Sequence, residues 1–156
     1  MSRPKEGSPE TGPAARDETR RSGPGRVLIA AYGVFALSAS ARAGVQIATH
    51  FSAAPVAYSL SAFAALVYVV ATAALATRGR AAWRVAVAAV LVELAGVLMV
   101  GTLSLTDRAA FPDATVWSVY GRGYGVVPLV LPVLGLLWLR HTAPARLGAR
   151  SPSAGG

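Results

Sequence analysis

Residues 85–106 form an uninterrupted apolar segment that carries a single charge, Glu93, near its middle. As an α-helix, these 22 residues extend about 33 Å, which is enough to cross the hydrocarbon core of a bilayer. The core of a membrane offers no water to backbone groups, so a spanning segment of this kind must be helical. The segment therefore predicts a transmembrane helix with a carboxylate at mid-depth, where the acid faces protein or water rather than lipid.

Three further apolar segments lie at residues 27–47, 56–77 and 124–139. Only 14% of the residues in the chain are charged, whereas soluble domains carry roughly 25%, so the composition favours a membrane protein. The last segment is the shortest, about 24 Å as a helix, and Pro128 and Pro132 should kink it or thin the bilayer around it. The sequence thus predicts an all-α fold, a bundle of four transmembrane helices.

The two ends of the chain differ in composition from residues 26–141, which hold all four segments. Residues 1–25 and 142–156 are rich in proline, glycine, serine and charge, and such stretches bury too little apolar area to fold alone. We therefore expect one four-span membrane domain, residues 26–141, between two disordered cytoplasmic tails.

The basic residues are distributed unevenly between the two sides of such a bundle. With the N-terminus inside, six Lys and Arg precede the first segment, three fall in residues 78–84 and three follow the fourth, whereas the opposite side keeps Arg42, Arg108 and Arg122. Because basic residues stay on the cytoplasmic side, we expect a multi-pass protein of the bacterial cytoplasmic (inner) membrane with both termini in the cytoplasm. This distribution also accounts for the net charge of +8, so the predicted partner is the lipid bilayer and not nucleic acid.

The longest connection, residues 107–125, has the pattern of a short interfacial helix. A proline followed by Asp113 is typical of a helix start, since proline is tolerated in the first turn and an acidic side chain is favourable there. Phe111, Trp117 and Tyr120 are residues of the kind that lie at the boundary between membrane and water. We expect a helix over residues 112–120 that lies along the outer membrane surface, with these rings turned toward lipid or the bundle.

Each of the first three segments carries small or polar residues at steps of three and four, and so on one helical face. These stripes are Ser38, Arg42, Gln46 and Thr49 on the first segment; Tyr58, Ser61, Ala65, Tyr68 and Thr72 on the second; and Ala86, Ala89, Glu93 and Gly96 on the third. Small residues let membrane helices approach closely, and hydroxyl groups bond across the interface. The stripes are interpreted as packing seams, with a polar pocket or pathway as the alternative.

Depth in the membrane singles out a candidate buried polar cluster of Glu93, Tyr68 and Arg42. Glu93 lies about 12 Å and Tyr68 about 13 Å from the inner edge, so the two side chains are level. We expect the Tyr68 phenol to donate a hydrogen bond to the acid. Arg42 lies about 22 Å from the same edge, and its long side chain can extend outward to the interface or inward toward Glu93.

The sequence offers few residues for catalysis or cofactor binding. It has no cysteine, and His50 has no second histidine or carboxylate at a ligand spacing, so neither a metal site nor a cofactor is predicted. Residues 120–125, YGRGYG, look like a glycine-rich phosphate loop, but no strand precedes them and flexible turn chemistry accounts for the glycines. No catalytic residues are therefore assigned.

Two stretches of the chain carry a family resemblance: ARAGVQIAT at residues 41–49 and FPDATVWSVYGRGYGVVPLVLPVLGLLWLR at residues 111–140. They are similar to small four-span integral membrane proteins of actinobacteria that carry no assigned activity. The resemblance covers most of residues 26–141. It implies a place in the membrane and no particular chemistry.

These observations favour a small integral membrane protein that acts as an interaction or accessory component without catalytic activity, with another membrane protein or a second copy of the chain as its partner. The alternative is a small proton-linked transporter in which Glu93 titrates. A third hypothesis is a membrane enzyme that acts on lipid at the outer face through Arg108, Asp113 and Arg122. The surroundings of Glu93 discriminate the first two, because a water-accessible cavity favours transport and a dry, hydrogen-bonded seam favours packing.

Overall fold

A computed structural model describes residues 23–107 and 113–143, and within these two ranges the chain is helical and contains no strand, as predicted. The α-helices of these ranges are Pro24–His50 (α1), Pro55–Ala76 (α2), Arg80–Thr106 (α3) and Val127–His141 (α4). A short 3₁₀ helix, Phe51–Ala53, follows α1. The stretch Ser118–Tyr124, which precedes α4, is a 3₁₀ helix interrupted by positive φ angles at Val119, Tyr120 and Gly121. Residues 1–22 and 144–156, which make up most of the predicted tails 1–25 and 142–156, lie outside the described residues, as do Arg108, Phe111 and Pro112.

The helices α1, α2 and α3 are each long and apolar enough to cross a membrane. Helix α4 has 15 residues, about 22 Å, which is too short to cross one alone. Together with Ser118–Tyr124 it makes a pair bent by 99°, and the number of spans reaches four only if this pair counts as one span. The described residues thus form an all-helical structure with three helices, or up to four with the bent pair, that are apolar enough to span a membrane.

Most helix ends differ by one to five residues from the predicted segment ends, and α4 begins at Val127 rather than at residue 124. Helix α1 begins at Pro24, inside the predicted tail, because proline is tolerated in the first turn of a helix. It continues to His50, beyond the predicted end at residue 47, so the connection to α2 is reduced to the short 3₁₀ helix and Ala54. Helix α3 begins at Arg80, and most of the basic stretch 78–84 is therefore helical.

Neighbours in sequence pack together in this bundle: α1 lies on α2, α2 on α3, and α3 on both Ser118–Tyr124 and α4, while α4 touches α1 at few points. The stripes predicted on α2 and α3 are buried, apart from the half-buried Thr72 and Gly96. On α1 the predicted stripe is only partly buried, since Ser38 and Thr49 are exposed and Arg42 and Gln46 are half-buried. The buried face of α1 is instead Leu28, Tyr32, Ala36, Ala39 and Ala43. Its alanines permit the close helix approach that larger polar side chains prevent.

The α3–α4 segment, residues 113–126, folds onto the bundle and does not form the predicted interfacial helix over residues 112–120. The described residues 113–117 contain no helix, and Trp117 is only 1% exposed. Two glycines of α3 make room for this arrangement. A Cβ atom at Gly96 would lie 2.4 Å from Trp117 Cζ3, and one at Gly101 would lie 2.6 Å from Tyr120 Cδ1. The aromatic rings therefore occupy space that exists only because these two positions lack a side chain.

Candidate functional site

Glu93 lies in the middle of α3 and is completely buried. Its carboxylate oxygen Oε2 accepts a hydrogen bond of 2.7 Å from the Tyr32 hydroxyl of α1. Tyr32 is also 0% exposed, so this bond is shielded from both water and lipid. The second carboxylate oxygen, Oε1, accepts no hydrogen bond of ordinary geometry from the described residues. One oxygen of the acid is thus satisfied and the other is not.

Tyr68 of α2 is fully buried beside the same carboxylate. The centroid of its ring lies 6.2 Å from that of Tyr32 and 5.6 Å from that of Phe35. Its hydroxyl accepts a 3.3 Å hydrogen bond from the indole Nε1 of Trp117. Tyr32 is thus a donor to Glu93 that was not predicted, while Tyr68 interacts with the same carboxylate and connects its neighbourhood to the α3–α4 segment.

We call Tyr32, Tyr68, Glu93 and Trp117 the buried polar centre. It takes one side chain from each of α1, α2 and α3 and one from the α3–α4 segment. Gly135 of α4 closes it on a further side, since a Cβ atom there would lie 3.2 Å from the Tyr32 hydroxyl oxygen. The described residues contain no group of three metal-ligating side chains. Chemically, the centre can hold four structural elements in fixed register through hydrogen bonds, and its acid can hold one proton.

Arg42 does not reach the buried polar centre. Its Nη1 donates a 2.8 Å hydrogen bond to the Tyr124 hydroxyl, and its Nη2 donates a 2.7 Å bond to the carbonyl oxygen of Ala114. Both acceptors belong to the α3–α4 segment, so Arg42 fastens this segment to α1. The predicted cluster is thus divided: Glu93 and Tyr68 lie together, and Arg42 belongs to a separate site.

An open cleft of ≈ 530 Å³ lies next to this arginine, and we call it the Arg42 cleft. Its lining includes Arg42, Ser118, Arg122 and Tyr124. Asp113 lies at the same end of the bundle, and its carboxylate accepts a hydrogen bond from Tyr58 of α2. Of the three residues in the lipid-enzyme hypothesis, Arg122 and Asp113 are therefore at one end of the bundle, and Arg108 is outside the described residues.

The glycines of the YGRGYG stretch serve the turn that leads into α4. Gly121 and Gly125 have φ angles of +75° and +65°, in the left-handed region that glycine adopts without steric cost. A Cβ atom at Gly121 would also lie 2.6 Å from Pro128 Cγ. These positions fit the interpretation of the stretch as turn chemistry.

Two members of the buried polar centre were not predicted as such from the sequence. Tyr32 has a sequence signal, because three alanines follow it at helical spacing on the same face of α1. Trp117 was assigned to the membrane surface, where tryptophan is common. Its burial depends on Gly96, which lies 21 residues earlier, and no local pattern links the two positions.

No protein family, curated protein or solved structure matches this chain.

Proposed function

We propose that this chain is a small integral membrane protein that acts as an interaction or accessory component without catalytic activity of its own. The observation that carries this proposal is the sealing of Glu93, which is 0% exposed together with Tyr32 and Tyr68. An acid that carries a transported proton must be reached from water. A shielded acid that is hydrogen-bonded to another helix is suited to specify how helices pack.

Other polar side chains of the bundle also join one element to another. Trp83 of α3 donates through Nε1 to the Leu139 carbonyl oxygen of α4 at 3.1 Å. The Ser104 hydroxyl of α3 accepts a 2.8 Å bond from the Val119 backbone N–H. Hydrogen bonds between membrane helices contribute about 0.6–2 kcal/mol each. Several of them together hold a rigid body, which supports a role in which the surface of that body is recognised by a partner.

The proposed membrane arrangement has four spans, with the bent pair that ends in α4 as the fourth and both termini in the cytoplasm. The bond from Trp83 to Leu139 puts the end of α4 next to the start of α3. Arg78, Arg80 and Arg140 therefore share one end of the bundle. Since clustered basic residues stay on the cytoplasmic side, this end is the proposed inner one.

A flux assay tests the absence of transport. The wild-type chain and Glu93→Gln are reconstituted in sealed vesicles that carry a pH gradient, with protein-free vesicles as the reference. An amide oxygen can still accept the bond from Tyr32, so the variant is expected to fold normally. We expect the gradient to decay at the same rate in all three preparations. A faster decay with the wild-type chain that is lost in Glu93→Gln would contradict the proposal.

Crosslinking inside the native membrane tests the interaction role. A photoreactive residue replaces one exposed side chain on each of the four helices in turn: Leu37, Leu66, Met99 and Leu134. An interaction component should give a discrete protein adduct, with itself or with another membrane protein, from one of these faces and not from the others. Lipid adducts alone from all four positions would count against an interaction role.

A proton-linked transporter is the second candidate, and the unbonded oxygen of Glu93 is the observation that favours it. A buried carboxylate with one oxygen lacking a hydrogen bond is costly unless it is protonated or exchanges protons. In that case Glu93→Gln folds normally but abolishes pH-driven flux, whereas Glu93→Asp retains part of it. The flux assay above therefore separates the two functions.

A further inference from the structure

The Arg42 cleft differs chemically from the buried polar centre, because it is open and cationic. Arg42 and Arg122 both line it, together with the hydroxyl-bearing side chains of Ser118 and Tyr124. We propose that this cleft binds a phosphate group at the boundary between membrane and water, supplied by a phospholipid headgroup or by the free ion.

The guanidinium of Arg42 is held in place by neutral groups. Its two hydrogen bonds go to the Tyr124 hydroxyl and to the Ala114 carbonyl oxygen. Neither acceptor carries a charge, so these bonds orient the guanidinium without neutralising it. They use two of its five N–H donors, and a planar guanidinium matches the oxygen atoms of a phosphate through paired hydrogen bonds. Arg42 is thus an oriented cation that is ready for an anionic ligand.

The depth of Arg42 indicates which anions are close to it. It lies eight residues before His50, the last residue of α1, and so about 12 Å below that end of the helix. A guanidinium at this depth is costly when its partners are neutral, and long arginine side chains extend toward the headgroup region. Phosphate is the anion of that region. Arg122, whose side chain is exposed, adds a second positive charge to the same cleft.

Val119, which also lines the cleft, is held in place by a contact with α3. Val119 and Tyr120 have φ angles of +50° and +58°, which are strained for residues with a side chain and persist only where the surroundings impose them. The Ser104 hydroxyl fixes the backbone at Val119 by accepting a hydrogen bond from its N–H group. The Tyr120 ring packs against α3 at Gly101, where no side chain occupies the space. The shape of the cleft therefore exists before a ligand arrives, which lowers the ordering cost of binding.

Asp113 provides an opposite-sign control close to the cleft. Its carboxylate accepts a hydrogen bond from Tyr58, so the Asp113 side chain is directed to α2. Arg42 donates to the backbone carbonyl oxygen of Ala114, the residue after Asp113. A carboxylate at this end of the bundle weakens the binding of any anion nearby. Removing its charge should therefore strengthen phosphate binding, whereas removing the charge of Arg122 should weaken it.

The test uses the full chain in a neutral detergent and has two arms. In the first arm, native mass spectrometry compares retention of phosphatidylglycerol with retention of diacylglycerol, which has the same acyl chains and no phosphate. In the second, the thermal unfolding midpoint is measured in inorganic phosphate and in chloride at equal ionic strength. Both arms compare the wild type with Arg122→Gln, with Asp113→Asn, and with Arg84→Gln, an exposed arginine at the other end of the bundle that serves as the matched control.

We expect Arg122→Gln to weaken binding about twofold to fivefold, as for a partly exposed charge, and Asp113→Asn to strengthen it by a similar factor. Arg84→Gln should have no effect. Arg42→Lys keeps the charge but loses the paired donors, and should weaken binding as well. Selective retention of phosphatidylglycerol identifies a lipid headgroup as the ligand, and a midpoint shift in phosphate alone identifies the free ion. The absence of binding in both arms, or equal losses in Arg122→Gln and Arg84→Gln, would overturn the proposal.

Discussion

Replacing Gly96 by alanine should destabilise the bundle, although alanine is the better helix former. The added Cβ atom would lie 2.4, 2.7 and 2.8 Å from three ring atoms of Trp117. The ring cannot move freely, because its Nε1 is bonded to Tyr68 and it packs edge-on against Phe63 with the centroids 6.1 Å apart. Overpacking costs about 1–3 kcal/mol and the lost hydrogen bond about 1, against a gain in helix propensity of about 1. The free energy of unfolding should therefore fall by about 1–3 kcal/mol.

Thermal unfolding in detergent, followed by tryptophan fluorescence, measures this loss as a lower midpoint. The matched control is Gly44→Ala on α1, where an added Cβ atom finds no other atom within 4 Å. That variant has the same change in composition without the clash. Its midpoint should equal or slightly exceed that of the wild type, whereas Gly96→Ala should unfold several degrees earlier.

A double variant tests whether the loss arises at the Trp117 ring. Trp117→Phe removes the part of the side chain that meets the new Cβ atom, so the effects of Gly96→Ala and Trp117→Phe should be strongly non-additive. Additive losses would show that the cost arises elsewhere. A wild-type midpoint and unchanged emission in Gly96→Ala would refute the contact between the α3–α4 segment and α3 altogether.

Two further predictions concern single hydrogen bonds, and a third concerns the orientation of the chain in the membrane. Tyr32→Phe removes the donor to Glu93 but keeps the ring, and should lower the free energy of unfolding by about 1–3 kcal/mol; an unchanged midpoint would mean that the bond is absent. Ser104→Ala removes the acceptor of the Val119 N–H, and should speed hydrogen exchange in the α3–α4 segment but not in α2. A reporter fused after Gly156 should be active in the cytoplasm, and activity outside would reverse the proposed orientation.

The helices and the faces of α2 and α3 could be predicted because the membrane restricts the possibilities. An apolar segment of spanning length has few alternatives to a helix. On α2 and α3 the residues that permit close approach, such as Ser61 and Ala86, coincide with the polar stripe, so one pattern identifies the buried face. On α1 the polar stripe and the residues that permit close approach lie on different faces. Its polar positions follow Arg42 along one face, whereas its packing is made by Tyr32 and the alanines of another.

The path of the α3–α4 segment could not be predicted, because it depends on contacts between distant residues. Tryptophan and tyrosine at this point of the sequence indicate an interface, and that is their usual place. Here Trp117 and Tyr120 pack against α3 at Gly96 and Gly101, where no side chain occupies the space. In the sequence alone these glycines look like ordinary small residues of a membrane helix. The contacts of Arg42 could not be predicted for the same reason, since its acceptors at Ala114 and Tyr124 lie more than 70 residues away in the sequence.

The α3–α4 segment therefore determines more than the shape of one end of the bundle. Its Trp117 covers Gly96, one turn from Glu93, and bonds to Tyr68 beside the same acid. Its Ala114 and Tyr124 are fastened to Arg42, on the wall of the cleft proposed to bind phosphate. The α3–α4 segment thus contacts both the surroundings of Glu93 and the guanidinium of Arg42. A ligand that binds the cleft only in this arrangement would add its binding free energy to it, and would therefore stabilise the position of this segment on the bundle.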